Sequence, residues 1–350
     1  MEQIQKKEYY KNLDTVRCFA AVSVIVYHWL PDAMGNFPLV KFGVDLFFVL
    51  SGFLITEILL RSKKKIGAGN ITTGGVLKSF YIKRSLRIFP IYYLLIGLLF
   101  LCRVPAVLNN WPFLVTYTSN FHMYLTQTWM PPVSHLWSLA VEEQFYILWP
   151  FIILLIPRKW LLFLVSTVIL LSLVFVLVES GKSEFVFMLP FSCMSTLGAG
   201  ALLAYIKNEI PGLLARIARW SLPTFLVAAI VFCIWYASFS FFVQHILIAF
   251  LSFWLIVYCI TSSNHWFNSA FSNPVTSYLG KISYGLYLYH NPIPSLVQSA
   301  NARVGRALGH SFGTGHNIIL LESLFVLLVG TALSWFFFEK PINSLKAKFQ

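Results

Sequence analysis

The side chains of this 350-residue chain that could do chemistry are few, and they stand inside apolar runs. Leu13-Asp14-Thr15-Val16-Arg17 sets an acid and a base three apart, which makes them helix neighbours. His28 follows eleven residues after Arg17. Eleven residues turn a helix through about 1100°, so Arg17 and His28 share a face about 16 Å apart along the axis. Asp14 and Arg17 suit either an ion pair anchoring a helix end or part of a binding site. His28 suits either a buried hydrogen-bonding role or proton transfer. In Gly43-Val44-Asp45-Leu46-Phe47-Phe48-Val49-Leu50-Ser51-Gly52-Phe53, Asp45 falls at the depth of His28 in the adjacent run. It is either an interfacial carboxylate or the group that fixes the imidazole tautomer. Glu57 and Arg61, four apart, suit a structural pair.

Further along, Ser134-His135-Leu136-Trp137-Ser138-Leu139-Ala140-Val141-Glu142-Glu143-Gln144-Phe145-Tyr146 carries two adjacent carboxylates into another apolar run. Both cannot face lipid cheaply, so they line a cavity or meet other polar groups. Glu142 shares a face with His135, about 10 Å further along the helix. His290 stands in Ser283-Tyr284-Gly285-Leu286-Tyr287-Leu288-Tyr289-His290-Asn291-Pro292, where Pro292 is placed to bend a helix. Arg84 and Arg87, three apart in Lys83-Arg84-Ser85-Leu86-Arg87-Ile88, lie on neighbouring parts of one face. Guanidinium groups bind phosphate bidentately, whether it belongs to a cofactor or a lipid headgroup. Arg17, Arg84 and Arg87 thus suit an anionic ligand on one side, and His28, Asp45, Glu142 and His290 suit proton chemistry toward the other.

The elements that position these groups follow from composition. The chain is 58% hydrophobic and 11% charged, where soluble domains run near about 25% charged. A disordered chain, a disulfide-stapled secreted domain and an ordinary cytosolic enzyme are excluded. The five cysteines stand singly, and no spacing suits a zinc site. Ten apolar spans are expected, at roughly 13–31, 41–60, 80–104, 135–156, 160–178, 186–206, 221–239, 243–262, 279–298 and 317–338. They lack the alternation of barrel strands, so the expected fold is an all-α polytopic membrane helix bundle, a single domain over 1–350 with no appended soluble domain. With the N-terminus inside, twenty basic residues fall on the inner segments and five on the outer ones. By the positive-inside rule, both termini are expected in the cytoplasm, beneath the cell membrane. The net charge of +13 is thereby assigned to a membrane face, not to nucleic acid. Trp111, Tyr117, Phe121, His122, Tyr124 and Trp129 mark 105–134 as an interfacial or partly inserted stretch.

Taken in order, these motifs resemble the polytopic membrane acyltransferase family three, whose members transfer acyl groups to hydroxyls, often on surface sugars. The resemblance covers nearly the whole chain. It rests on Leu13-Asp14 with Arg17 and His28, on Gly43–Phe53, on Arg84-x-x-Arg87-Ile88 with Pro90 and Tyr92, on His135–Leu139 with Glu142, Gln144, Phe145 and Tyr146, on Ser283–Pro292, and on Phe338-Glu339-Lys340-Pro341. Two departures are Thr15, where Gly is frequent, and Ala140, where Ser is frequent. The resemblance implies His28 as catalytic base, Arg17, Arg84 and Arg87 as the acyl-donor site, and Glu142 more than Glu143 as the carboxylate that matters. It implies acyl-coenzyme A as donor substrate, with no tightly bound cofactor and no metal, and a saccharide or related hydroxyl as acceptor. Direct transfer, with His28 oriented by Asp45 or Glu142, is expected ahead of an acyl-enzyme on His28 or Ser51. Some members append an extracytoplasmic esterase-like domain; none is expected here, so transfer is direct or to a separate partner. A proton-coupled transporter or flippase of a glycan is the rival reading, and a scaffold in glycan assembly a third.

Overall fold

The computed structural model describes residues 9–34, 39–309, 312–313 and 315–349. Lys6 and Lys7, counted among the inner basic residues, lie outside the described residues. Every regular element among the described residues is helical. The chain opens with α1 (Lys11–Trp29), α2 (Pro31–Met34), α3 (Leu39–Gly67) and α4 (Thr73–Leu101). Two short helices, α5 (Pro105–Val115) and α6 (Ser119–Thr126), precede α7 (Leu136–Leu155), α8 (Arg158–Glu179), α9 (Pro190–Glu209) and α10 (Pro211–Ala218). Then come α11 (Ser221–Trp235), α12 (Phe241–Thr261), α13 (His265–Phe271), α14 (Pro274–Lys281), α15 (Ser283–Tyr289) and α16 (Pro292–Leu308). The chain closes with α17 (His316–Ser334) and α18 (Lys340–Ser344).

Seven of the ten expected spans are helices long and apolar enough to cross a membrane: α3, α4, α7, α8, α11, α12 and α17. The other three differ for distinct reasons. Helix α1 carries Lys11, Asp14, Arg17 and His28, and α9 is rich in Ser and Gly. Both pack against α3, so neighbouring helices replace lipid around them. The 279–298 run is not one helix. It is divided among α14, α15 and α16, with breaks at Ile282 and at His290–Asn291. The second break falls where Pro292 and Pro294 remove two backbone donors.

Helix α3 is the hub, packed against α9, α1, α12 and α7, and is the most buried of the seven. Its contact with α9 is backbone to backbone. A Cβ added at Gly52 would stand 1.9 Å from the Leu197 carbonyl oxygen, and one at Gly200 would stand 2.0 Å from that of Val49. In a bilayer, where lipid is as apolar as leucine, such small residues let dispersion hold helices together. Gly280 does the same for α14 against α1, where a Cβ would meet the Asp14 carbonyl oxygen at 1.8 Å. Helices α8, α11 and α17 are the least buried and present leucine, valine and phenylalanine outward, as lipid contact requires. At the end of α3, Glu57 accepts from Arg61 at 2.8 Å, Lys207 at 2.6 Å and the Tyr10 hydroxyl at 2.9 Å. The pair read from the Glu57–Arg61 spacing therefore belongs to a knot tying α1, α3 and α9.

Candidate active site

A cavity of about 100 Å³ opens between α1, α3, α4, α7 and α15. Four of these helices contribute one stripe each at three- and four-residue spacing, the geometry of a single helix face. From α3 come Phe47, Ser51 and Leu54; from α4, Arg84, Arg87 and Ile88; from α7, Ser138, Glu142, Glu143 and Tyr146. Arg17 enters from α1, and α15 closes the wall with Ser283, Tyr284 and Tyr287. Four of the residues singled out from sequence, Arg17, Arg84, Arg87 and Glu142, thus converge on one space.

The polar groups around that space are ordered. Arg17 Nη1 is paired to Asp14 Oδ1 at 2.7 Å, and the Tyr9 hydroxyl donates to the other carboxylate oxygen. Arg84 lies 4.8 Å from the Tyr146 ring centroid, a cation–π arrangement. Among the described residues no salt bridge reaches Arg84 or Arg87, although both share the cavity with Glu142 and Glu143. Ser51 Oγ donates to Glu142 Oε1 at 2.7 Å and accepts from the Tyr146 hydroxyl at 3.1 Å. On the opposite wall, Ser138 Oγ and the Tyr287 hydroxyl are 2.5 Å apart.

Beyond Tyr287 stands a cluster of three imidazoles. His28 Nδ1 is 2.8 Å from the Val24 carbonyl oxygen, and His290 Nδ1 is 2.7 Å from that of Tyr287. A carbonyl oxygen only accepts, so in the neutral rings both Nδ1 atoms carry the proton. His290 Nε2 then has a lone pair, directed at His28 Nδ1–H across 3.3 Å. The same assignment leaves His28 Nε2 unprotonated and able to take a proton. His135, 4.9 Å from His290 between ring centroids, donates from Nε2 to Leu288 O at 3.1 Å and accepts at Nδ1 from Asn291.

Two of these anchors exist because of prolines. In a continuous helix Leu288 O would accept from the amide of residue 292, and His290 O from that of residue 294. Both are prolines without an N–H. Leu288 O instead receives His135, and His290 O receives the Trp29 indole at 3.0 Å. The helix break thus supplies the acceptors that hold His135 and the end of α1.

Asp45 is placed elsewhere. Among the described residues no hydrogen bond or ion pair joins it to His28, and it does not line the cavity. Its Oδ2 is 3.7 Å from His245 Nδ1 on α12, and His245 Nε2 is 2.7 Å from Ser195 Oγ on α9. Equal depth did not imply a shared direction. At about 100° per residue Asp45 lies about 120° round α3 from Ser51, on the side of α9 and α12. Among the described residues no hydrogen bond joins Glu142 to His28 either; Glu142 accepts from Ser51. The place expected for a carboxylate is taken by Val24 O and His290.

His135, Tyr284 and Tyr287 were not expected to build the site. The spacing of Ser283, Tyr284 and Tyr287 on one short helix face was the available signal. The 105–134 stretch folds as α5 and α6 over this region. Gln144 Nε2 donates to Tyr117 O at 2.8 Å, and Tyr92 stacks on Tyr117 at 4.3 Å.

Comparison with known proteins gives a consistent result. The acyltransferase-domain family matches residues 10–339. A putative O-acetyltransferase of Staphylococcus aureus strain COL is 31% identical over 84% of this chain and 52% of its own length. A putative peptidoglycan O-acetyltransferase, YrhL, of Bacillus subtilis strain 168 is 29% identical over 97% of this chain and 56% of its own length. The O-acetyltransferase OatA of Staphylococcus aureus strain NCTC 8325 is 28% identical, over 85% and 53% respectively. The chain spans about half the length of the curated relatives it matches. No solved structure matches it.

Proposed function

Because this chain belongs to the acyltransferase-domain family, we propose that it is a membrane O-acyltransferase moving an acetyl or similar group from acyl-coenzyme A to a hydroxyl of a saccharide. The observation that carries the reading is the pair Arg84 and Arg87. Two guanidinium groups line one cavity with no salt-bridged carboxylate among the described residues, whereas Arg17 and Arg61 are each paired. Phosphate is the ligand that such a fork takes bidentately. The coenzyme phosphates sit at Arg84 and Arg87, with Arg17 completing the site, and the pantetheine arm carries the acyl group inward past Ser51 toward Tyr287. His28, with Nε2 unprotonated, is the general base for the acceptor hydroxyl.

The acceptor is a cell-wall glycan hydroxyl, a reading supported by the relative named for peptidoglycan. The excess of basic residues on the inner segments supports a cell-membrane location with ten crossings and both termini cytoplasmic. The donor is then bound from the cytoplasm, and the acceptor meets His28 from the other side.

The test is thermal stability of detergent-purified protein titrated with coenzyme A and acetyl-coenzyme A, wild type beside the Arg84→Ala/Arg87→Ala double variant. A saturable rise in the wild type alone establishes the donor site. No shift at millimolar donor removes coenzyme A and moves the transporter reading ahead.

A further inference from the structure

The donor cavity has a nucleophile and a base of its own. Serines inside membrane helices commonly return their hydroxyl proton to a carbonyl one turn earlier. Ser51 instead donates to the Glu142 carboxylate of α7 at 2.7 Å, and Tyr146 donates to the same Oγ at 3.1 Å. All three line the cavity that holds Arg17, Arg84 and Arg87. A hydroxyl proton held by a carboxylate, on a serine that lines one cavity with three guanidinium groups, is the arrangement of an activated nucleophile. His28, by contrast, belongs to the imidazole cluster beyond Tyr287 and does not line that cavity.

The geometry points to Ser51 as a covalent acyl carrier, with Glu142 as the base that loads it. This rests on the acyl-coenzyme A reading above and replaces direct attack of the acceptor on the thioester. In the first half-reaction Ser51 Oγ bonds to the acyl carbon as the carbon–sulfur bond breaks. The Oγ proton passes to Glu142, and coenzyme A leaves as the thiolate, which takes a proton from water. In the second half-reaction the acceptor oxygen bonds to the acyl carbon and the Oγ–carbon bond breaks. His28 takes the acceptor proton and later gives it to water, while Glu142 returns its own proton to Oγ and restores the Ser51 hydroxyl. Two separated bases then serve two separated steps. Ser51 lies one turn, about 6 Å, along α3 from Phe47, whose ring meets Tyr287 edge-on at 5.8 Å between centroids. Tyr287 in turn borders the cluster containing His28. Ser51 is thus linked through Phe47 and Tyr287 to the imidazole cluster.

The experiment exposes the purified chain to acetyl-coenzyme A without acceptor, quenches in acid, and reads intact mass and peptide maps. Thermal stabilisation by coenzyme A is measured on the same samples. His28→Ala is included to trap the ester by slowing the second half-reaction. The expected result is one added acetyl mass on Ser51, more persistent in His28→Ala, and none in Ser51→Ala, which is still stabilised by coenzyme A. Ser51→Cys should carry a hydroxylamine-labile thioester. An acetyl group mapped to another residue overturns the proposal. So does stabilisation by coenzyme A with no adduct in either wild type or His28→Ala. Absence of both stabilisation and adduct removes the donor reading itself, and this proposal with it.

Discussion

His290 Nε2 faces His28 Nδ1–H across 3.3 Å, joining the end of α1 to the turn between α15 and α16. The contact runs from an acceptor to the proton-bearing side of the ring, so it reinforces the tautomer that leaves Nε2 basic. When His28 takes a proton, the resulting imidazolium donates more strongly through Nδ1 to the same two acceptors. On the proposed mechanism His290 therefore acts through His28 as a positioning residue.

Replacing His290 separates that role from simple space-filling. His290→Phe removes the acceptor, and its kcat should fall by up to about tenfold, the worth of one neutral hydrogen bond. The KM for acyl-coenzyme A should stay near wild type. His290→Gln keeps an amide oxygen able to accept, and should recover much of the loss. Steady-state kinetics of the two variants decide this; equal losses in both would leave His290 a packing residue.

His28→Ala removes the proposed base. Turnover onto a saccharide acceptor should drop by about 10²–10⁴-fold, with stabilisation by coenzyme A retained. Activity within a few-fold of wild type would take His28 out of the reaction.

The proposed donor arginines should report on binding first. Loss of charged hydrogen bonds at about 1.5–3 kcal/mol each predicts affinity for coenzyme A at least about tenfold weaker in Arg84→Ala or Arg87→Ala. Arg84→Lys should not restore it, because an ammonium lacks the planar fork and the guanidinium stacking on Tyr146. Ligand-induced thermal shifts measured at several concentrations give these ratios.

Asp45→Asn tests the distinction between depth and direction. With Asp45 beside His245 and away from His28, turnover should change far less than in His28→Ala. A loss as deep as that of His28→Ala would restore Asp45 to the reaction.

Gly52→Leu tests the hub. Its side chain would start 1.9 Å from the Leu197 carbonyl oxygen, so α3 and α9 must separate. Overpacking of this kind costs about 1–3 kcal/mol or more, read as a lower unfolding temperature in detergent. Gly97→Leu, where an added Cβ meets nothing within 4 Å, is the control and should be close to neutral.

What is legible in the sequence divides along physical lines. Arg17, Arg84, Arg87 and Glu142 stand out because an ionisable side chain in an apolar run needs a reason, and the structure gathers them. The all-helical character and seven of the spans follow from the length and unbroken apolarity of the runs. Asp45 is misdirected because the helix period fixes which residues share a face, not which way that face turns within the bundle. The site of His135 is not legible because its partner, Leu288 O, is backbone and has no side-chain signature. The division of 279–298 is half legible: Pro292 marks one break, and nothing at Ile282 marks the other. Helices α1 and α9 are the converse case, since their neighbours permit a polarity that lipid would not.

Pro292 and Pro294 bear on the site through a hydrogen that neither possesses. Any other residue at these positions would bring back an amide, and the repaired helical ladder would compete with an imidazole at one carbonyl and an indole at the other. A carbonyl oxygen can accept twice, so the two donors would share it, each in a poorer alignment than a lone donor has. Tolerance to substitution at these two places is therefore set by hydrogen-bond direction as well as by shape. A residue that fits the space would still loosen the hold on His135 or Trp29.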